Sequence, residues 1–167
     1  MINQVWIDNL TKVLEYENKL YGQLYSIAES KTGVVVKAEI DTLQQLVGKE
    51  QKLISELNKL QDVREQIIGQ VAQTIGKDPR EVTISQLAAH LPQDQAQKLT
   101  CSRDKLKETV GKLTDKNDLN QQLIKNALEY VDFSLNLLTQ PAPQTPQYGR
   151  KGNETGAKGR GILDIKY

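Results

Sequence analysis

The chain has 167 residues, a formal net charge of +1, 38% apolar residues and only 5% aromatic residues. A charge so close to neutral gives no indication of nucleic acid or an acidic membrane as a partner. The low aromatic content is typical of long helices that share a narrow apolar seam, and this length suits one domain with such a core.

The first predicted helix carries seam residues at alternating spacings of four and three, the pattern of a helix packed lengthwise on others. Gly33 offers a turn, and the valines from Val34 to Val36 disfavour helix continuation. We therefore expect this helix to end near Gly33. Its seam consists of Trp6, Leu10, Val13, Glu17, Leu20, Leu24 and Ile27.

A second predicted helix of about 35 residues begins between about Lys37 and Asp41 and repeats this spacing. The pattern breaks at Gly76 and at the Asp78-Pro79 pair. The sequence TISQLAAHL then indicates a short connector helix, with Thr83 as its N-cap and Pro92 closing it. The seam of the second helix consists of Leu46, Glu50, Leu53, Leu57, Leu60, Arg64, Ile67 and Val71.

Two of these seam positions are glutamates. In a hairpin that turns near Gly33, the numbers of facing residues add to about 67, so Glu17 and Glu50 would share one layer. Facing carboxylates repel each other unless donors are near, and Asn117 and Asn120 of the last helix could supply amide N–H groups. The pattern predicts either a polar layer that fixes helix register or two glutamates at the solvated edge of the seam.

The last predicted helix runs from Gln93 to Thr139 and changes character along its length. Six of the 26 residues from 93 to 118 are apolar, against eleven of the 20 from 119 to 138. One apolar face, which includes Val131 and Leu138, is predicted to continue the core seam. A second face lies about 120° away, at the same spacing, and consists of Leu119, Leu123, Asn126, Tyr130, Phe133 and Leu137.

One neighbouring helix cannot bury both faces. The second face is therefore either the packing surface of a three-helix antiparallel coiled coil or a groove for an amphipathic helix of another protein. The predicted partner-binding residues are Leu119, Leu123, Tyr130, Phe133 and Leu137.

The segment 140–167 differs in composition from the helices. It carries three of the five prolines and five of the eleven glycines, and we expect it to be disordered. Its basic residues lack the interleaved aromatics that stack nucleic-acid bases. At its end, Ile162, Leu163, Asp164 and Ile165 form a candidate tail motif. The predicted organisation is a helical domain, 1–139, followed by this tail.

The sequence offers little for catalysis or for a cofactor. His90 and Cys101 are single residues of their kinds, and no phosphate-binding glycine loop is present. We therefore predict no enzyme, no metal and no cofactor. No apolar run reaches the ~20 residues that span a bilayer, and the N-terminus lacks a secretory signal pattern, so we expect a cytoplasmic protein.

The stretch from Leu113 to Leu138, LTDKNDLNQQLIKNALEYVDFSLNLL, resembles the end of the FlgN-type export chaperone domain. The second helix and TISQLAAHL follow in that family's order, so the resemblance spans Met1 to Thr139. The terminal LDIK is similar to a short tail motif of the family.

The helical seams predict an all-α fold, namely an elongated antiparallel bundle or coiled coil of three long helices with a short connector helix. The resemblance implies a cytoplasmic chaperone that binds the C-terminal helical region of hook-filament junction proteins. Such a chaperone prevents their premature assembly and delivers them to the flagellar export gate. The alternative is a self-associating coiled-coil adaptor without an export client, and the sequence leaves monomer and dimer open.

Overall fold

The computed structural model describes residues 3–139, and all the regular structure in that range is helical. The predictions for the segment 140–167 lie outside the described residues. The all-α class, with three long helices and a short connector helix, is confirmed. The elements are α1 (Gln4–Val36), α2 (Ile40–Ile75), a 3-10 turn (Pro79–Glu81), α3 (Ile84–Ala88) and α4 (Gln93–Thr139).

The chain divides into two units, Met1–Leu123 and Ile124–Tyr167, which we call the first and second unit. The described part of the second unit is helical throughout, from Ile124 to Thr139. The predicted domain boundary after Thr139 coincides with the end of the described residues, and it stays a prediction.

The turn between α1 and α2 lies further along the chain than predicted. α1 continues through Gly33 to Val36, and the turn is made around Ala38, whose φ is 55°. A β-branched residue costs a helix well under 1 kcal/mol, and half-burial of Val34 and Val35 offsets that cost. The predicted end near Gly33 is therefore wrong, because a weak local preference was outweighed by packing.

The core of the first unit is built from α1, α2, α3 and α4. α1 and α2 pack antiparallel, because the start of α1 meets the end of α2. Two clusters of buried side chains result. The first contains Ile7, Leu10, Leu14, Ile67, Val71, Leu87 and Leu99, and the second contains Leu20, Leu24, Ala28, Leu57 and Leu113.

The connector between α2 and α4 is formed by local hydrogen bonds, as its sequence predicts. The Thr83 hydroxyl accepts from the Gln86 backbone N–H at 3.2 Å, while the Gln86 side chain accepts from the Thr83 N–H. This reciprocal pair is a capping box. It starts α3, whose Leu87 is fully buried in the core.

Gly76 ends α2 with a φ of 67°, in the left-handed region where a Cβ is unfavourable. We expect Gly76→Ala to lower the free energy of unfolding by about 1 kcal/mol. Gly48 is the matched control, since it lies inside α2 with open space around its Cα. Gly48→Ala should instead stabilise by about 0.4–1 kcal/mol in urea unfolding. Equal effects of the two substitutions would contradict this assignment of the cap.

Candidate functional site

The two seam glutamates have separate cationic partners. The Arg64 Nη1 donates to Glu17 Oε2 at 2.9 Å, and the Lys31 ammonium donates to both Glu50 oxygens at 2.9 and 3.1 Å. The residue numbers add to 81 in both pairs, because the hairpin turns later than predicted. The hypothesis that Glu17 and Glu50 share one layer is therefore wrong.

Glu17 is the more buried of the two carboxylates, with a side chain 3% exposed against 18% for Glu50. Burial raises the pKa of Glu17, and the charge and hydrogen bond of Arg64 oppose that rise in pKa. Arg64 was the signal for this pair in the sequence, because it occupied an otherwise apolar seam position of α2. The later turn brings it opposite Glu17.

Asn117 and Asn120 of α4 do not donate hydrogen bonds to Glu17 or Glu50 as expected. Asn120 is buried, donates its amide to the Ala28 carbonyl at 2.8 Å and accepts from the Thr32 hydroxyl at 2.7 Å. Asn117 is exposed. A second polar contact joins α1 and α4 where the Thr109 hydroxyl donates to Asn18 at 2.6 Å. Asn120 therefore fixes α4 against the backbone of α1, which the sequence did not reveal.

The residues with potential for catalysis are not assembled into a site. His90 and Cys101 are both exposed. Residues 3–139 contain no group of three His, Cys, Asp or Glu side chains that could hold a metal ion. Within the same residues, no helix is long and apolar enough to cross a membrane.

The predicted partner-binding residues all lie on α4, in two groups. In the first unit, Leu119 is exposed and Leu123 is half-buried. In the second unit, Tyr130, Phe133 and Leu137 are 72%, 59% and 56% exposed. Their spacing of three and four places these last three side chains on one face of the helix. We call these three residues the second stripe from here on.

The first apolar face of α4 is exposed near its end, whereas the sequence predicted that it is buried. Val131 and Leu138, expected in the core, are 50% and 58% exposed. Among residues 3–139, α4 has no buried side chain after Asn120. A spacing of four and three shows only that residues share a face, and it does not supply the helix that covers them. Both apolar faces of the segment Ile124–Thr139 are therefore open.

Four polar side chains of this segment lie on one narrow side of the helix. Lys125, Glu129, Asp132 and Asn136 recur at spacings of four and three, and at 100° per residue they span about 60°, roughly a sixth of the helix circumference. Asn126 and Ser134 lie outside that arc, among the apolar side chains. The Lys125 ammonium and the Glu129 carboxylate are 4.0 Å apart, and both are well exposed. A helix with so wide an apolar surface is normally covered by other helices.

A family model described as FlgN protein matches residues 1–156. The chain belongs to the FlgN family. Members of this family are flagellar export chaperones, so membership places the chain in that class. The match covers all the described helices and confirms the resemblance drawn from the sequence.

A relative in Bacillus subtilis strain 168, named uncharacterized protein YvyG, is 26% identical over 119 residues. The aligned region covers 71% of this chain and 72% of that protein. No solved structure matches the chain. The relative's name states no client, so the features of this FlgN chain itself must indicate what it binds.

Proposed function

We propose that this chain is a cytoplasmic flagellar export chaperone for hook-filament junction proteins. It binds their C-terminal helical region, prevents premature assembly and delivers them to the export gate. One observation carries the proposal. In a member of a chaperone family, three large side chains on one helical face, Tyr130, Phe133 and Leu137, are each more than half exposed.

The spacing of these residues suits a helical client. Positions i, i+3 and i+7 are the anchors by which one amphipathic helix contacts another along two turns. Fully covering a large apolar side chain contributes up to about 1.5–3 kcal/mol, so three such anchors supply a substantial part of the binding energy. Leu119 and Leu123 lie in the first unit, and their contact with a client stays a prediction.

Within the first unit, hydrogen bonds hold α4 against α1 before a client arrives. Asn120 and Thr109 join α4 to α1 through Ala28 and Asn18. A helix that is already formed loses little conformational entropy on binding, which benefits affinity. No catalytic step forms part of the proposal.

The open first face, which includes Val131 and Leu138, favours a second candidate function. A self-associating adaptor would use this face to contact a second copy of the chain. The two functions differ in what they predict for the chain alone. The adaptor forms a stable dimer at micromolar concentration, whereas the chaperone forms its stable complex with a client.

Co-expression with a hook-filament junction protein from the same host tests the proposal. Size-exclusion chromatography with light scattering should show a complex containing one chain of each protein. The matched control is the same client without its C-terminal helical region, which should elute separately. A dimer of the chain that binds no junction protein would establish the adaptor and refute the chaperone.

A further inference from the structure

The second stripe has a candidate occupant within the same chain. After the described residues the sequence continues for 22 residues, 140–161, with few apolar side chains. It then reaches the sequence ILDIKY, in which Ile162, Leu163, Ile165 and Tyr167 are apolar or aromatic. The second unit thus contains an open apolar surface and a separate apolar segment joined by a polar linker.

The linker is long enough to bring the two together. A flexible chain of 22 residues has a root-mean-square span of about 25 Å, at 5–6 Å times the square root of its length. Tyr130 lies about 14 Å along the helix from Thr139, at 1.5 Å per residue. Every residue of the second stripe is within this span. Tethering at such a distance gives an effective concentration of about 1 mM.

The charges of the two surfaces are complementary. Arg160 lies two residues before the apolar segment, and Lys166 lies within it together with one acid, Asp164. Glu129 precedes Phe133 by four residues, so the two side chains are neighbours on the helix surface. The Glu129 carboxylate is well exposed, and its contact with Lys125 is at the 4.0 Å limit of an ion pair. A basic side chain of the tail can therefore approach Glu129 while Leu163 and Ile165 cover Phe133 and Leu137.

We propose that the segment Ile162–Tyr167 occupies the second stripe when no client is bound, and that a client must displace it. The displacement rests on the proposed function, because it assumes that the client uses the same stripe. The contact itself does not depend on that assumption. The tail then shields the stripe in the free protein and lowers the apparent affinity of every partner that uses the stripe by the same factor.

The contact is tested without a client, in the full chain, by hydrogen-deuterium exchange of residues 124–139. Leu163→Ser with Ile165→Ser removes the apolar contact, and Tyr148→Ser in the linker is the matched control. If the segment docks with a dissociation constant about fourfold below the effective concentration of about 1 mM, exchange should become about fivefold faster in the double variant only. Glu129→Lys should produce part of the same change. Unchanged exchange in the double variant would overturn the proposal.

Client binding then tests the competition. The Leu163→Ser, Ile165→Ser chain should bind a hook-filament junction protein about fivefold more tightly than wild type, because the competing segment is gone. Unchanged client affinity together with faster exchange would refute displacement of the tail by the client. Absence of any client binding together with faster exchange would refute the proposed function and support the contact.

Discussion

Replacing Phe133 and Leu137 with serine should weaken binding of a hook-filament junction protein at least about thirtyfold, with no change in the melting midpoint. Truncating a central anchor of a helical interface commonly costs ~2 kcal/mol or more, which corresponds to that factor. Both side chains are more than half exposed, so the folded chain loses little when they are shortened. Calorimetric titration and thermal unfolding of the same samples give the two quantities.

Val131→Ser with Leu138→Ser is the matched control on the first face of the same helix. These side chains are as exposed as Phe133 and Leu137, so this variant should keep both its melting midpoint and its client affinity. Leu99→Ala, in the core, should instead lower the free energy of unfolding by about 2–5 kcal/mol. Equal losses of affinity in the two surface variants would show that the client contacts both faces.

Arg64→Met should destabilise the chain by about 2–4 kcal/mol at pH 7, because it leaves the Glu17 carboxylate buried without its cation. Replacing both Glu17 and Arg64 with leucine should be neutral or stabilising, since neither charge is then buried. The single variant and the double variant therefore differ in sign or by several kcal/mol. Chemical denaturation at fixed pH measures both free energies.

The pH dependence of this difference follows from the raised pKa of Glu17. Because the folded state holds the Glu17 proton more tightly than the unfolded state, this group favours folding at acid pH. That contribution is lost as the pH rises through the raised folded-state pKa. The cost of Arg64→Met should accordingly be smaller at pH 4 than at pH 7. A cost that is equal at both values would show that Glu17 is solvated in the variant.

The helices were predictable because their seams repeat over many turns and their ends carry strong signals. α4 begins at Gln93, directly after Pro92, and Thr83 caps α3 as expected. The hairpin between α1 and α2 was not predictable to the same precision. Each residue by which a turn moves changes the sum of the facing residue numbers by two. The observed sum of 81, against about 67 expected, differs by 14, so Glu17 pairs with Arg64 and not with Glu50.

The sequence also did not predict which side chains of α4 are buried. Leu113 and Val131 have the same apolar character and share the periodicity of one face, yet only Leu113 is buried. Periodicity orders side chains around one helix, whereas burial depends on what else packs against it. For this reason the sequence left two alternatives for the second stripe, a packing surface within the bundle or a groove for a client. Its use by a client is a proposal.

The distribution of burial along α4 places two kinds of constraint on one helix. Residues up to Asn120 include buried side chains that hold the fold together, so substitutions of those side chains are expected to destabilise the protein. Residues after Asn120 have no buried side chain among those described, so they can change with little effect on stability. Recognition of a new partner can therefore evolve by single substitutions in that segment, while the rest of the chain keeps the same architecture.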